Sequence, residues 1–178
     1  YEFLFLFLPV TAGVFFLLGR TSKVLAIRWL ILASLFFYAW WRPLNVLLIA
    51  PSILINFFLA RHLQSLLRAE RSVAARVVLL IGIAFNIAFL GYFKYANFLV
   101  GAVNDAFGTR YVIDRIILPL GISFITFQKI AFLIDVHSRR VEQFTLRDYS
   151  LFVLFFPQLI AGPIVHYREM MPQFHEAR

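Results

Sequence analysis

Six long apolar runs, separated by short loops, set the terms on which this chain can fold. They are Tyr1–Leu18, Val24–Trp41, Leu44–Ala60, Val77–Val100, Ile116–Ile134 and Tyr149–Val165. A helix that crosses a bilayer needs about 17–25 mostly apolar residues. Leu44–Ala60 and Tyr149–Val165 carry no charge at all, Val24–Trp41 only Arg28 near its start, and Val77–Val100 only Lys94 near its end. In hydrocarbon, backbone polar groups must be satisfied internally, which leaves helices or closed barrels. The runs lack the alternation of a barrel strand. The expected fold is therefore all-α: a polytopic integral membrane protein with about six membrane helices, forming a single transmembrane helical domain over residues 1–178.

Composition agrees. The chain is 62% hydrophobic and 15% charged, against roughly 45–50% and 25% in a soluble domain. Its net charge is +8, yet the basic residues sit in short loops, with no basic face of interleaved aromatics, so nucleic acid is not an expected partner. With no Cys, disulfides and thiolate metal sites are excluded. Tyr1–Leu18 has no basic n-region and carries Glu2, unlike a cleavable signal peptide. The start at Tyr1 and the stop at Arg178, just after a helix-like run, lead us to expect a truncation at one or both ends.

The loop charges predict a topology. Loops 19–28, 61–76 and 135–148 hold ten Lys/Arg: Arg20, Lys23, Arg28, Arg61, Arg68, Arg71, Arg76, Arg139, Arg140 and Arg147. Loops 42–43 and 101–115 hold three: Arg42, Arg110 and Arg115. If each run spans once, the first set shares one side. The positive-inside rule makes that side cytoplasmic and the N-terminus extracytoplasmic. Tyr38, Trp40 and Trp41, and likewise Tyr92, Tyr95 and Phe98, then lie at outer helix ends, at headgroup level. Lys94 lies among the second group and can snorkel outward. Segment Arg61–Arg76 fits either an amphipathic helix on the membrane surface or a helical extension of the third span.

Two segments combine breakers with polar groups. In the first, from Leu118 to Asp135, Pro119 suits a first helical turn. Gly121, Gln128 and Asp135 fall on one stripe, with Ser123 and Thr126 on another face. This reads as a helix lining a polar cavity, or as a bundle helix with interhelical polar contacts. Lys129 is a mid-run cation, either functional or paired, or left near water by a tilted or re-entrant helix; Asp135 lies close to the inner end. In the second, from Phe155 to Ile164, Pro157, Gly162 and Pro163 should break the helix. Such a break belongs in a cavity or inside protein, so Gln158 is the stronger cavity candidate. Of the histidines, His62 and His137 fall in basic loops and His175 in the tail, while His166 follows the break and is a candidate lumen residue. Gln128, Asp135, Gln158 and His166 are the candidate site residues. No H-E-x-x-H, P-loop or G-x-G-x-x-G appears, and no cofactor or metal is expected.

The same segments carry a likeness. The run Pro119-Leu120-Gly121-Ile122-Ser123-Phe124-Ile125-Thr126-Phe127-Gln128, with Ile134-Asp135-Val136, resembles the membrane-bound O-acyltransferase family, in particular its alginate O-acetyltransferase branch. Phe155 to Val165, with Glu169-Met170-Met171-Pro172-Gln173-Phe174, is similar to that branch's second signature, and Tyr1 to Pro9 to its N-terminus. The D-alanyl transferase of teichoic acid modification resembles the chain less closely. The resemblance implies the N-terminal portion of an enzyme with a tunnel across the bacterial inner membrane. It implies acetyl transfer from an acyl donor to a hydroxyl of an extracytoplasmic polysaccharide such as alginate, among membrane lipid and other exopolysaccharide-modification proteins. The family's catalytic His lies well C-terminal of Ala161-Gly162-Pro163, so no catalytic residue is expected before Arg178 and these residues alone are expected to be inactive. The alternatives are a transporter or flippase, which also uses broken helices although no inverted repeat is visible here, and a structural membrane subunit.

Overall fold

The computed structural model describes residues 3–112, 116–162 and 165–176. Of the residues named above, Tyr1, Glu2, Arg115, Pro163, Ile164 and Arg178 lie outside this description, as do the side chains of Trp41 and of residues 159–161. The described residues form helices and no strand, as the apolar runs predict. A π-helical turn, Phe3–Phe7, leads into α1 (Leu8–Thr21), followed by α2 (Lys23–Trp41), α3 (Pro43–Arg68) and α4 (Ser72–Phe107). Proline opens α1 and α3 in the first turn, where a missing N–H has no intrahelical partner to lose. Helices α2, α3 and α4 are long and apolar enough to cross a membrane. At 1.5 Å per residue, the 36 residues of α4 reach about 54 Å, well past a hydrocarbon core of about 30 Å.

The fifth and sixth runs depart from simple spans. Helix α5 (Ile122–His137) starts at Ile122, not in the turn of Pro119. Leu118 precedes a proline, which disfavours helical backbone there. Gly121 then takes φ 65°, a left-handed setting suited to glycine, and its carbonyl accepts the first helical bond from Ile125 N at 2.9 Å. Pro119 therefore lies ahead of the helix rather than in its first turn. The sixth run is two short helices, α6 (Leu146–Leu154) and α7 (Phe156–Ala161), broken at Phe155 with Pro157 in the first turn of α7. At nine and six residues, about 14 and 9 Å, neither crosses alone. Helix α8 (Tyr167–Glu176) follows.

Segment Arg61–Arg76 resolves in favour of the helical extension. Helix α3 continues to Arg68, the chain reverses over Ala69–Arg71, and α4 begins. Leu63 is buried, with Leu66 and Leu67 packed on the core, so the apolar face of this extension meets protein.

Helix α6 lies at the centre, packed against α2, α3, α5 and α8. Tyr149, Leu151, Phe152 and Val153 are fully buried. Phe132 joins this core from α5, its ring 4.5 Å from Tyr149 and 5.0 Å from Tyr167. Helices α1 to α4 instead expose large apolar side chains such as Phe16, Leu32, Phe58 and Leu80, the arrangement a lipid-facing surface requires.

The basic loops meet on one face. The Arg139 guanidinium donates to the Leu67 carbonyl at 3.1 Å, tying the end of α5 to the end of α3. The Gln64 amide donates to the Glu142 carbonyl. Lys23 donates to the His175 carbonyl, and the His175 ring approaches Asp148. At the opposite end, the Tyr38 hydroxyl donates to the Leu120 carbonyl at 3.4 Å, and Asn97 donates to the Ile116 carbonyl at 3.1 Å. The grouping of loops by charge is thus reproduced by contacts.

Candidate functional site

Helix α5 carries polar groups on two buried faces. Gln128, Phe132 and Asp135, spaced i, i+4 and i+7, look toward α6, α7 and the start of α8. Lys129 and Leu133 look toward α3 and α4, and Thr126 stands three residues before Lys129 on the same stripe. All six are buried, so α5 presents chemistry-bearing side chains to its neighbours on both sides.

On the first face the four candidate residues come together as two pairs. Gln128 Nε2 donates to Gln158 Oε1 at 3.2 Å and to the Phe152 carbonyl at 3.3 Å. It thereby serves the last turns of α6 before the break, where a carbonyl loses its intrahelical donor. The Phe156 N–H, freed on the other side of the break, meets Ser34 Oγ of α2 at 3.4 Å. The break is therefore inside protein, as the cost of unpaired backbone in hydrocarbon demands. Gly162 closes α7, its N–H donating to the Gln158 carbonyl at 3.0 Å. A Cβ there would stand 2.8 Å from Gln158 Cα, so only glycine fits against Gln158 in this geometry.

The second pair is Asp135 and His166. The Asp135 side chain is 2% exposed, and its Oδ2 lies 2.9 Å from His166 Nδ1. The Arg140 guanidinium stands 3.8 Å from the other carboxylate oxygen. The buried charge thus has one close and one distant cationic neighbour when the imidazole is protonated. His166 is 41% exposed, and its Nε2 is left free of Asp135. Of the other histidines, His62 is exposed and His137 half-buried at the end of α5.

Two buried polar contacts escaped the sequence reading. Lys129, 0% exposed, donates to Ser52 Oγ of α3 and lies 5.0 Å from the centre of the Phe89 ring. It is neither paired with Asp135 nor left near water. Asn56 of α3 and Asn86 of α4 exchange side-chain hydrogen bonds, one of them 3.3 Å, while Asn86 also donates to the Gly82 carbonyl at 2.8 Å. The available signal was polarity inside an uncharged run: Asn45, Ser52 and Asn56 recur at spacings of seven and four in Leu44–Ala60. Their partners lie 30 and 77 residues away, which no local pattern reveals. Among the described residues, no three His, Asp or Glu side chains gather as a metal site would require.

Two clefts open elsewhere. An apolar groove of about 430 Å³ runs between α2 and α3 past Leu35, Phe36, Leu44 and Leu47. A polar cleft of about 260 Å³ lies between the ends of α3 and α5, lined by Gln64, Arg68, Glu70, Arg139 and Glu142. Neither is lined by Gln128, Gln158, Asp135 or His166.

Comparison with known proteins follows the same segments. A Pseudomonas aeruginosa protein named Probable alginate O-acetylase is 39% identical over 178 residues, covering 97% of this chain and 33% of that protein. The peptidoglycan O-acetyltransferase of Helicobacter pylori is 38% identical over 201 residues, covering 98% of this chain and 38% of its own length. The Probable alginate O-acetylase of Pseudomonas putida is 38% identical, with 97% and 36% covered. The chain spans about a third of the length of the curated relatives it matches. No protein-family model and no solved structure matches it.

Proposed function

We propose that the chain is part of a membrane-bound O-acyltransferase and that the protein acts as a multi-pass membrane O-acetyltransferase. It moves an acetyl group from an acyl donor to a hydroxyl of a polysaccharide on the far side of the bacterial inner membrane. The observation that carries this reading is the likeness along 97% of the chain to relatives named for O-acetyl transfer. Those relatives act, by name, on alginate and on peptidoglycan, so the shared element is a carbohydrate hydroxyl.

In this reading a histidine base removes the hydroxyl proton and the resulting alkoxide attacks the acyl carbonyl. Holding donor and acceptor together supplies effective concentration. The family resemblance puts that histidine well C-terminal of Ala161-Gly162-Pro163, in a later helical region past Arg178, and none of His62, His137, His166 and His175 matches it. The present residues supply walls: Gln128 and Gln158 steady the broken segment, and Asp135 with His166 fixes the start of α8. The basic face lies in the cytoplasm, where the donor enters, beside any partner proteins of polysaccharide modification.

The test is acetyl transfer by full-length protein in proteoliposomes, offered alginate and peptidoglycan fragments in turn, beside the 178 residues alone. The expected outcome is acetylation of one polymer by the full-length protein and none by the 178 residues. Absence of transfer to either polymer by well-folded full-length protein overturns the assignment.

A further inference from the structure

Helices α3 and α5 close in the same way, side by side. At the end of α3 the Glu70 N–H donates to the Leu67 carbonyl at 3.3 Å and the Arg71 N–H to the Leu66 carbonyl at 3.0 Å. At the end of α5 the Arg139 N–H donates to the Val136 carbonyl at 3.1 Å and the Arg140 N–H to the Asp135 carbonyl at 2.8 Å. This paired closure puts one residue in the left-handed region, where glycine is the usual choice. Here the residues are Glu70 and Arg139, both at φ 57°. Each keeps a charged side chain where glycine would relieve strain, and both line the polar cleft of about 260 Å³ between the two helix ends. Arg68 and Glu142 complete its charged wall, giving two cations and two anions. All four side chains are exposed, and among the described residues none has an ion-pair partner. The nearby carboxylates Asp135 and Asp148 are, by contrast, each matched by an arginine. Two cross-links hold the walls in place, from the Arg139 guanidinium to the Leu67 carbonyl and from the Gln64 amide to the Glu142 carbonyl.

Depth decides what reaches this cleft. At 1.5 Å per residue, Gln64 and Arg68 stand about 32 and 38 Å along α3 from Pro43. That is just past a hydrocarbon core of about 30 Å, at the level of lipid headgroups. Leu67, Val136 and Val141 give the cleft an apolar side. Two helix C-termini converge here, and their partial negative charge joins that of Glu70 and Glu142 in favouring a cation. Arg68 and Arg139 favour a phosphate. We propose that the cleft binds the headgroup of a zwitterionic membrane phospholipid of the phosphoethanolamine class, its phosphate held by Arg68 and Arg139 and its primary ammonium by Glu70 and Glu142. A primary ammonium donates hydrogen bonds to carboxylates, whereas a choline nitrogen carries no hydrogen to donate. A phosphoglycerol head brings no cation and sets its phosphate beside two unmatched carboxylates. Headgroups line both faces of a bilayer, so the site does not depend on which end is cytoplasmic, and nothing in it requires acyl transfer.

The experiment measures lipid bound by the full-length protein. Delipidated protein in detergent is titrated with phosphatidylethanolamine, phosphatidylcholine or phosphatidylglycerol of matched acyl chains, and bound lipid is counted by native mass spectrometry. Phosphatidylethanolamine is expected to bind about tenfold more tightly than either, the effect of one charge-assisted contact. Glu70→Gly with Glu142→Gln is expected to abolish that preference. The first change puts glycine where the backbone suits it and the second alters an exposed side chain, so an unchanged melting temperature separates lost binding from lost folding. Arg68→Gln is expected to weaken phosphatidylethanolamine and phosphatidylcholine alike, through the shared phosphate. Soluble glycerophosphoethanolamine is expected to bind at least about tenfold more weakly than the lipid, because it lacks the apolar part. Equal binding of the three lipids, or a preference that survives both glutamate substitutions, overturns the inference. Binding unaffected by Arg68→Gln overturns the placement of the phosphate, and equal affinity for the soluble headgroup overturns the assignment to a lipid.

Discussion

A methyl group at Gly162 would press on the backbone of Gln158, whose Cα and Cγ would both lie 2.8 Å away. Backbone cannot swing aside as a side-chain tip can. Gly162→Ala is therefore expected to displace Gln158 from Gln128 and destabilise the protein by about 1–3 kcal/mol, the usual cost of overpacking, measured as a fall in melting temperature. Gln158→Leu tests the same contact chemically. It removes the acceptor of a 3.2 Å bond and leaves Gln128 with the Phe152 carbonyl. On the proposed function, transfer activity of the full-length protein is expected to drop more than the amount of folded protein; equal loss of both would mark a packing role, and normal activity with normal abundance would refute both roles. Gln128, Asp135, Gln158 and His166 were legible as candidates because a polar residue within or just after an apolar run needs a reason to be there. Their pairing was not, since the partners are 30 and 31 residues apart and meet through the break and the bend after it.

Helix ends show what local sequence does determine. The break was readable from Pro157, Gly162 and Pro163: α6 ends at Leu154, α7 opens with Pro157 in its first turn and closes at Gly162, and Pro163 lies outside the described residues. The start of α5 was misplaced because Pro119 fits a first turn equally well; the left-handed Gly121 decides the matter, and its φ is not written in its identity. Glu70 and Arg139 adopt φ 57° just past the ends of α3 and α5. A side chain in that region costs about 1 kcal/mol or more, so Glu70→Gly should leave the melting temperature unchanged or raise it. Arg139→Gly is a poorer exchange, because it forfeits the bond to the Leu67 carbonyl. At the start of α6, Thr145 Oγ1 accepts from the Asp148 N–H at 3.1 Å. Burial pushes the Asp148 carboxyl up, but hydrogen bonds with Arg147 and Thr145 and the charges of Arg147 and His175 outweigh it and hold the group below the usual carboxylate value. A carboxylate lowered by folding stabilises the fold above its unfolded pKa, about 3.9, and that stability drains away as pH falls through the lowered value. Asp148→Asn should therefore lower the melting temperature at pH 7, with the difference from wild type shrinking below about pH 4.

Across the whole molecule, charge counting and contact geometry converge on sidedness. The ten-to-three division of Lys/Arg between alternate loops asks only that each run cross once. The structure supplies something independent: Arg139 reaches the Leu67 carbonyl, Gln64 the Glu142 carbonyl, and Lys23 the His175 carbonyl, so loops far apart in sequence gather at one end. Tyr38, Leu120, Asn97 and Ile116 gather at the other. The short fifth and sixth elements do not upset this, because α5 returns its C-terminal end to the basic face whether or not its 16 residues reach across. The positive-inside rule predicts that the basic end faces the cytoplasm. A Cys-free chain makes the test direct. Arg68→Cys and, at the opposite end, Tyr111→Cys are introduced singly into the full-length protein, and intact cells are treated with a membrane-impermeant maleimide. Residue 111 is exposed just past the end of α4, and we expect it to react in intact cells, while residue 68 reacts only after permeabilisation. The reverse pattern would invert the topology while leaving the fold intact, and labelling of both residues in intact cells would break the claim that α4 separates them across the membrane.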